Sequence, residues 1–245
     1  MIAQHERIAA LSQEAHPSVP SSTEEPWSTV ERQFLAALVT GDSSRALDIA
    51  RNAVHSGDDI ARFYLDVVQP AMYDIGQMWE RNQVSVAMEH FATSIVARIM
   101  SALYMRVPAP VHEKGSALVT SAPNEFHELG ARMVADLLEL DGWNVTFLGA
   151  NTPVGDLIAL AKILNPQIVA ISVAMPFNID VVQRTVASIR ATPELSGVRI
   201  MVGGIAFSTY PSLVDSVGAD GSAMDGASAV ALANSWWEER RRLNA

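Results

Sequence analysis

Residues 115–138 have the sequence GSALVTSAPNEFHELGARMVADLL, in which a short apolar run is followed by a polar turn and an amphipathic segment. The apolar run is typical of a buried strand, and the segment after Gly130 has the apolar spacing of a helix. Glu125, His127 and Gly130 lie around the turn. The stretch therefore predicts a strand, a loop and a helix, with a carboxylate and an imidazole in the loop.

The same alternation of strand and helix continues to the end of the chain. The predicted strands are SALVTSA, WNVTFLGA, QIVAISVAM, RIMVGGIA and a weaker DGSAM, and the predicted helices begin near Glu128, Pro153, Ile179, Pro211 and Ala227. Apolar strands that alternate with amphipathic helices predict a parallel sheet covered on both faces. Residues 116–245 are thus expected to form a Rossmann-like or flavodoxin-like domain of five parallel strands, which binds ligands beyond the carboxyl ends of its strands.

The chain before this domain is expected to be a four-helix bundle over residues 27–107. The predicted helices are STVERQFLAALVT, DSSRALDIARNAVHSG, DDIARFYLDVVQPAMYDIGQMW and SVAMEHFATSIVARIMSALYMRV. Asp42 or Ser43 should cap the second helix and Ser85 the fourth, and Pro70 should kink or split the third. Residues 1–26, rich in Pro, Ser and Glu, predict a flexible leader, and PAPVHEKG, residues 108–115, predicts a linker.

Composition excludes several classes of function. The formal net charge of -10 argues against nucleic-acid phosphates as the main partner. The basic residues 240–242 end the last predicted helix, where they complement its dipole. The chain has no cysteine, which excludes disulfides, thiolate metal sites and thioether-linked cofactors. Because no signal peptide or long apolar run is present, we expect a cytoplasmic protein that does not span a membrane.

The loop after the first strand lacks phosphate-binding motifs, since no G-x-G-x-x-G and no G-x-x-x-x-G-K-[ST] occurs in the chain. The loop does contain a carboxylate, Glu125, two residues before a histidine, His127. A carboxylate on one ring nitrogen fixes the tautomer of a metal-binding imidazole. An isolated E-x-H is also compatible with an ordinary surface histidine, and one histidine would suffice for a metal only if a macrocycle supplied the other ligands.

The pattern E-x-H-x-x-G resembles the D-x-H-x-x-G motif of cobalamin-binding domains. In that family a serine motif and a Gly-Gly pair follow at characteristic spacings, and here Ser172 within SVAM and Gly203-Gly204 follow at matching intervals. The resemblance implies that His127 is the lower axial ligand of cobalt. Ser172, with Val173 beside it, and the glycine pair would contact the cofactor's nucleotide tail. Two residues depart from the family pattern: Glu125 replaces Asp, and Ala174 replaces Leu.

The fourth predicted helix carries a second resemblance. Trp79, Glu89 and His90 form W-x9-E-H, which is similar to the motif of the CarH/LitR-type photoreceptors. The resemblance implies that the Trp shields the upper ligand while the Glu and His line an adenosyl pocket, with Val86 one turn earlier. The alternative is a core aromatic and a polar edge of a bundle helix. Glu80 stands where these photoreceptors often have a histidine, so cobalt capture by that position after photolysis is not expected.

These resemblances together imply an adenosylcobalamin light sensor without catalytic residues. Proteins called photocobilins pair cobalamin with a bilin; biliverdin or another bilin would here be a second, noncovalent cofactor, because there is no cysteine. We expect output through an unidentified protein partner or a homo-oligomer, with no direct binding to DNA or membrane. The alternatives are a corrinoid subunit that carries methyl groups in a methyltransferase system, and a non-sensory cobalamin store.

Overall fold

A computed structural model describes residues 27–243. The chain divides into two compact units, with the boundary between Pro108 and Ala109. The predicted leader, residues 1–26, lies outside the described residues. No helix between residues 27 and 243 is long and apolar enough to cross a membrane.

The N-terminal unit is helical. Its helices are α1 (Trp27–Thr40), α2 (Ser43–Ala53), α3 (Gly57–Phe63), α4 (Gln69–Glu80) and α5 (Val86–Tyr104). A π-helical turn, Tyr64–Val68, joins α3 to α4 without a break, so the unit contains the four helical segments that were predicted. In its core Phe34 meets Phe63 edge to face, with ring centroids 5.2 Å apart.

Pro70 does not split the third helical segment. A proline lacks the backbone N–H of a helix, and its ring clashes with the carbonyl four residues earlier. Here the wider π-helical turn immediately precedes it, so the helical path continues past the proline. The predicted caps are confirmed: the side chains of Asp42 and Ser85 accept backbone N–H groups at 3.0 and 3.2 Å. Ser56, which forms a capping box with Asp59, was not predicted.

The C-terminal unit contains a parallel sheet of five strands. They are β1 (Ser116–Ser121), β2 (Asn144–Phe147), β3 (Ile168–Ser172), β4 (Arg199–Gly203) and β5 (Gly221–Ala223). Their order is β2-β1-β3-β4-β5, which is the flavodoxin-like order. The chain reverses direction across the sheet between β1 and β3. In this class of fold, ligands bind at that point, beyond the carboxyl ends of the strands.

Helices cover both faces of this sheet. They are α6 (Leu129–Leu140), α7 (Val154–Leu164), α8 (Ile179–Arg190), α9 (Ile205–Thr209), α10 (Leu213–Val217) and α11 (Gly226–Leu243). Successive residues of β1 point to opposite faces, so Leu118 packs in one apolar cluster while Ala117 and Val119 pack in the other. The predicted fold class is confirmed; only the short α9 was not predicted.

The predicted linker, residues 108–115, contains no helix or strand, but its second half is attached to the C-terminal unit. The N–H groups of Glu113 and Lys114 donate to the carbonyl of Gly142 at 3.1 and 3.0 Å. The ammonium of Lys114 also lies 2.5 Å from the carboxylate of Asp141. The part of the linker that lacks these bonds is therefore shorter than the sequence suggested.

Candidate functional site

His127 lies in the loop that follows β1, at the carboxyl edge of the sheet. Asn124 makes the turn possible, because its backbone adopts a left-handed φ of 63° that asparagine tolerates. The Ser121 hydroxyl donates to the carbonyl of His127 at 3.1 Å, which fixes the loop backbone to the end of β1. The imidazole itself is half exposed, with 56% of its side chain accessible.

Glu125 is almost fully buried beneath this imidazole, with 1% of its surface exposed. One carboxylate oxygen lies 2.5 Å from Nδ1 of His127. The other oxygen accepts the backbone N–H groups of Ala174 and Met175 at 3.0 and 2.9 Å, and the side-chain amide of Asn178 at 3.2 Å. The carboxylate therefore connects the loop after β1 to the loop after β3, across the point where the chain reverses.

These hydrogen bonds determine the charge of Glu125. Burial alone would raise its pKa, but the bonds from His127, from Met175 and from Asn178 stabilise the anion more strongly and lower the pKa to about 2. The carboxylate is thus ionised at neutral pH. An anion on Nδ1 keeps the proton on that nitrogen, so Nε2 carries the imidazole lone pair that a metal would bind.

Ser172, Val173, Gly203 and Gly204 lie beside this loop, at the ends of β3 and β4. Ser172 pairs with Gly203 in the sheet. Val173 is fully buried, and its N–H and carbonyl bond to Gly203 and Ala206, so it supports this edge from inside and has no exposed surface of its own. A Cβ at Gly204 would lie 2.3 Å from the carbonyl oxygen of Val173, and one at Gly203 would lie 2.9 Å from that of Ala223. Both glycines are therefore required by the close approach of the chain's own backbone.

Gly130 is different, because a Cβ added there would meet no atom within 4 Å. Its surroundings inside the chain do not require a glycine, whereas a large ligand above the loop would. Large apolar side chains are also exposed at this edge, one after each of four segments that end there. They are Phe126, Phe177, Ile205 and Met224, with 72%, 72%, 43% and 67% of their surface accessible. A broad apolar surface around an exposed imidazole suits a large, flat ligand.

The described side chains around His127 do not provide enough ligands for a bare metal ion. Between residues 27 and 243 no group of three or more His, Asp or Glu side chains could hold one. His127 would thus be a single protein ligand, which fits a metal whose remaining ligands belong to a macrocycle. The exposed apolar rim and the open space at Gly130 fit such a macrocycle.

The second predicted group of residues lies in the N-terminal unit, around the start of α5. Glu89 is in the first turn of the helix, with 19% of its side chain accessible. Its two oxygens are separately held: the Thr93 hydroxyl donates to one at 2.9 Å, and Nδ1 of His90 lies 2.7 Å from the other. The structure therefore pairs Glu89 with His90, and repeats the carboxylate–imidazole contact seen at Glu125 and His127.

Trp79 and Val86 lie on either side of the turn between α4 and α5. Asn82 supports this turn with a left-handed φ of 56°, and its N–H donates to the carbonyl of Trp79 at 2.9 Å. Trp79 and Val86 are 42% and 51% exposed. The alternative of a buried core tryptophan is therefore not what the structure shows, and apolar surface is available to a ligand near this turn.

Two family models match the chain, and both describe B12 binding domains. One matches residues 115–233, which include the Glu125–His127 loop, and the other matches residues 30–104. The chain belongs to the B12 binding domain proteins. It is accordingly a cobalamin-binding protein.

This B12-binding protein is similar to relatives of two kinds. It is 28% identical over 206 residues to the HTH-type transcriptional repressor CarH of Myxococcus xanthus, covering 83% of this chain and 64% of the repressor. It is 25% identical over 192 residues to trimethylamine corrinoid protein 1 of Methanosarcina acetivorans, covering 75% of this chain and 86% of that protein. The chain thus spans less than two thirds of the length of the repressor.

The fold is also that of a solved corrinoid protein. The monomethylamine corrinoid protein of Methanosarcina barkeri superimposes with a TM-score of 0.71 at 16% identity, over 84% of this chain and 97% of that one.

Sequence reasoning missed Asn178 and the exposed apolar rim of the candidate B12 site. Asn178 is 2% exposed and holds both Glu125 and the carbonyl of Asn124. The only sequence signal was its place shortly after β3, in the loop that the serine motif begins. The rim residues could have been found as large apolar side chains within or shortly after the carboxyl ends of predicted strands.

Proposed function

We propose that this B12-binding protein is a light sensor that uses adenosylcobalamin, and that it is not an enzyme. Nε2 of His127 would bind the cobalt from below. Trp79, Val86, Glu89 and His90 would contact the upper ligand. Bound adenosylcobalamin supplies a cobalt–carbon bond that light cleaves.

The role of the lower group follows from its hydrogen bonds. Glu125 would keep the proton on Nδ1 of His127 and so hold the imidazole in the tautomer that binds cobalt through Nε2. Asn178 would position Glu125 from behind. Ser172 and the glycine pair 203–204 would line the space for the nucleotide tail, and the buried Val173 would support them from inside the chain. Gly130 would leave room above the loop.

The pairing of Glu89 is the observation that favours an adenosyl ligand. Its oxygens are held by Thr93 and His90, and a carboxylate has further lone pairs that can accept hydrogen bonds from ribose hydroxyls. Exposed Trp79 and Val86 add apolar surface that suits a flat base. A methyl ligand has no hydrogen-bond donor and would make no use of these remaining lone pairs.

Loss of the upper ligand would remove these contacts and favour another conformation, oligomer or protein partner. The net charge of -10 supports an output that does not involve direct DNA contact. A noncovalent bilin as second chromophore remains a prediction from the photocobilin resemblance.

The second candidate is a corrinoid subunit that carries methyl groups for partner methyltransferases. It is favoured by the similarity to trimethylamine corrinoid protein 1, of which the chain covers 86%, and by the shared fold with the monomethylamine corrinoid protein. It leaves the arrangement of Glu89, His90 and Thr93 without a role.

The two candidates predict different ligand selectivity and light response. Protein loaded with adenosylcobalamin in the dark should change its absorption spectrum irreversibly under green light and should bind adenosylcobalamin more tightly than methylcobalamin. Glu89→Ala should weaken adenosylcobalamin binding by about 1–3 kcal/mol, because a buried hydrogen bond is lost, and should leave methylcobalamin binding unchanged. Titration calorimetry in the dark measures both.

Asp48→Asn is a matched control for this experiment, since Asp48 is an exposed carboxylate on α2. It should bind both cobalamins as the wild type does. Equal affinity of the wild type for the two cobalamins, unaffected by Glu89→Ala and Trp79→Ala, would support the methyl carrier instead.

A further inference from the structure

A cleft of about 250 Å³ opens at the amino ends of β3 and β4. Ile168 and Arg199, the first residues of these strands, line it. His127 follows the carboxyl end of β1, and all the strands are parallel. The cleft therefore lies at the opposite edge of the sheet from the B12 site, and cobalamin does not account for it.

The walls of the cleft are aromatic. Trp143, Trp236 and Trp237 all line it. Trp143 is fully buried and meets Trp237 edge to face at 5.9 Å, so it fixes Trp237 from behind and exposes no surface of its own. Trp236 is half-buried, with the guanidinium of Arg199 5.8 Å from its ring centroid. Rigid aromatic walls favour a flat, apolar ligand that can stack against them.

Among the residues that the structure describes, the ion pairs around the cleft do not include Arg240. Arg199 is paired with Glu239 at 2.9 Å, and Asp220 is paired with Arg190 at 2.6 Å. Arg240 is exposed and lines the cleft, and no carboxylate between residues 27 and 243 forms an ion pair with it. An anionic group on the ligand would find its counter-charge there.

The volume limits the size of the ligand. Pockets that bury drug-sized molecules measure roughly 300–1,000 Å³, so this cleft holds one or two rings and not a four-ring bilin. We infer that the cleft is a second ligand site, separate from the B12 site, and that it binds a small planar aromatic carboxylic acid. The ring would lie against Trp236 and Trp237, and the carboxylate would pair with Arg240.

Indole-3-acetate and indole-3-ethanol are suitable probes, because they share a ring system and differ in charge. Titration calorimetry of the full chain should show saturable binding of indole-3-acetate and clearly weaker binding of the alcohol. Arg240→Gln should weaken indole-3-acetate binding about tenfold, as for the loss of one charge-assisted contact, without affecting the alcohol. Arg241→Gln is the matched control, since Arg241 lies next in the helix and pairs with Glu238 instead.

Gly197→Leu tests the cleft independently of charge. Gly197 lines the cleft, and a Cβ there would meet no atom within 4 Å, so the leucine should occupy the cleft without disturbing the fold. This variant should bind neither probe, whereas His127→Ala should bind indole-3-acetate as the wild type does. Near-ultraviolet circular dichroism checks the folding of each variant.

Three outcomes would overturn the inference: no saturable binding of indole-3-acetate at millimolar concentration, equal weakening by Arg240→Gln and Arg241→Gln, or wild-type binding by a folded Gly197→Leu. If Gly197→Leu does not fold, the comparison of Arg240→Gln with Arg241→Gln still tests whether the cleft binds the ligand. None of these outcomes depends on the light response, because the measurements need no cobalamin.

Discussion

Glu125 is both buried and ionised, and its contribution to stability depends on pH. Its pKa is about 2 in the folded chain, against an ordinary value of 4.5. Its stabilising effect is therefore fully present above pH 4.5 and is lost as the pH falls from 4.5 towards 2. At neutral pH the shift corresponds to about 3 kcal/mol of unfolding free energy.

We expect Glu125→Gln to remove this part of the pH dependence in the apoprotein. Denaturant unfolding of the C-terminal unit should show a variant clearly less stable than the wild type at pH 7 and nearly equal to it at pH 2.5. A difference in unfolding free energy that stays constant over this range would mean that Glu125 is not held as an anion by its four hydrogen-bond partners.

His127 is the residue on which cobalt binding depends in the proposed site. His127→Ala should weaken cobalamin binding at least about tenfold, or leave the cofactor with its own base coordinated, because no other imidazole would replace Nε2. Absorption spectra and equilibrium dialysis measure both effects. His112→Ala is the control, since His112 is an exposed histidine of the same unit that pairs with Glu139 at 3.5 Å. A wild-type spectrum and affinity in His127→Ala would contradict the assignment.

The sequence pattern predicts that His127 and Glu125 belong to a site, but it does not predict Asn178. The pair lies within three residues of one loop, so its spacing is visible in the chain. Asn178 reaches Glu125 only because β1 and β3 are neighbours in the sheet. A contact between residues 53 positions apart depends on strand order, which no local pattern contains.

At the scale of elements, two glycines near the candidate B12 site have different surroundings and should respond differently to substitution. Gly204 has a φ of 94°, and a Cβ there would overlap the backbone of Val173. Gly204→Ala should therefore destabilise the C-terminal unit by at least about 2 kcal/mol. Gly130→Ala should leave stability unchanged or slightly raised, because alanine favours the helix and nothing is near it.

Thermal unfolding of the two variants, with and without cobalamin, separates these effects. Gly130→Ala should lose cobalamin affinity while its apoprotein remains as stable as the wild type. An apoprotein destabilised equally by both substitutions would show that the open space at Gly130 is not reserved for a ligand.

The elements themselves were largely predictable, since helix caps and apolar runs are local. Asp42 and Ser85 begin their helices as their side-chain chemistry requires. Pro70 was harder, because a π-helical turn can accommodate a proline that would break a regular α-helix. The attachment of Lys114 to Asp141 could not be predicted either, as it depends on the position of the turn between α6 and β2.

At the scale of the whole molecule, the chain consists of two B12 binding domains with a short connection. Glu113 and Lys114 belong with the C-terminal unit by their hydrogen bonds to Gly142. The residues just before them, which have no such bonds among those described, include Pro108 and Pro110, and prolines limit how far a connection can bend.

In the proposed light sensor, a cofactor bound by both domains would be the main restraint on their arrangement. Removing the contacts of Glu89 with the upper ligand should weaken that restraint. We therefore expect X-ray scattering and size-exclusion profiles of the adenosylcobalamin-loaded protein to change after green light, either in radius of gyration or in apparent mass. Apoprotein and protein loaded with hydroxocobalamin are the controls and should not respond, because neither carries an adenosyl group.

Glu89→Ala, loaded at saturating adenosylcobalamin, should show a smaller difference between dark and light, since its dark state already lacks the hydrogen bond that light would remove. Identical dark and lit profiles in the wild type, with the cobalt–carbon bond cleaved in the same sample, would exclude a conformational output and return the chain to the methyl-carrier alternative.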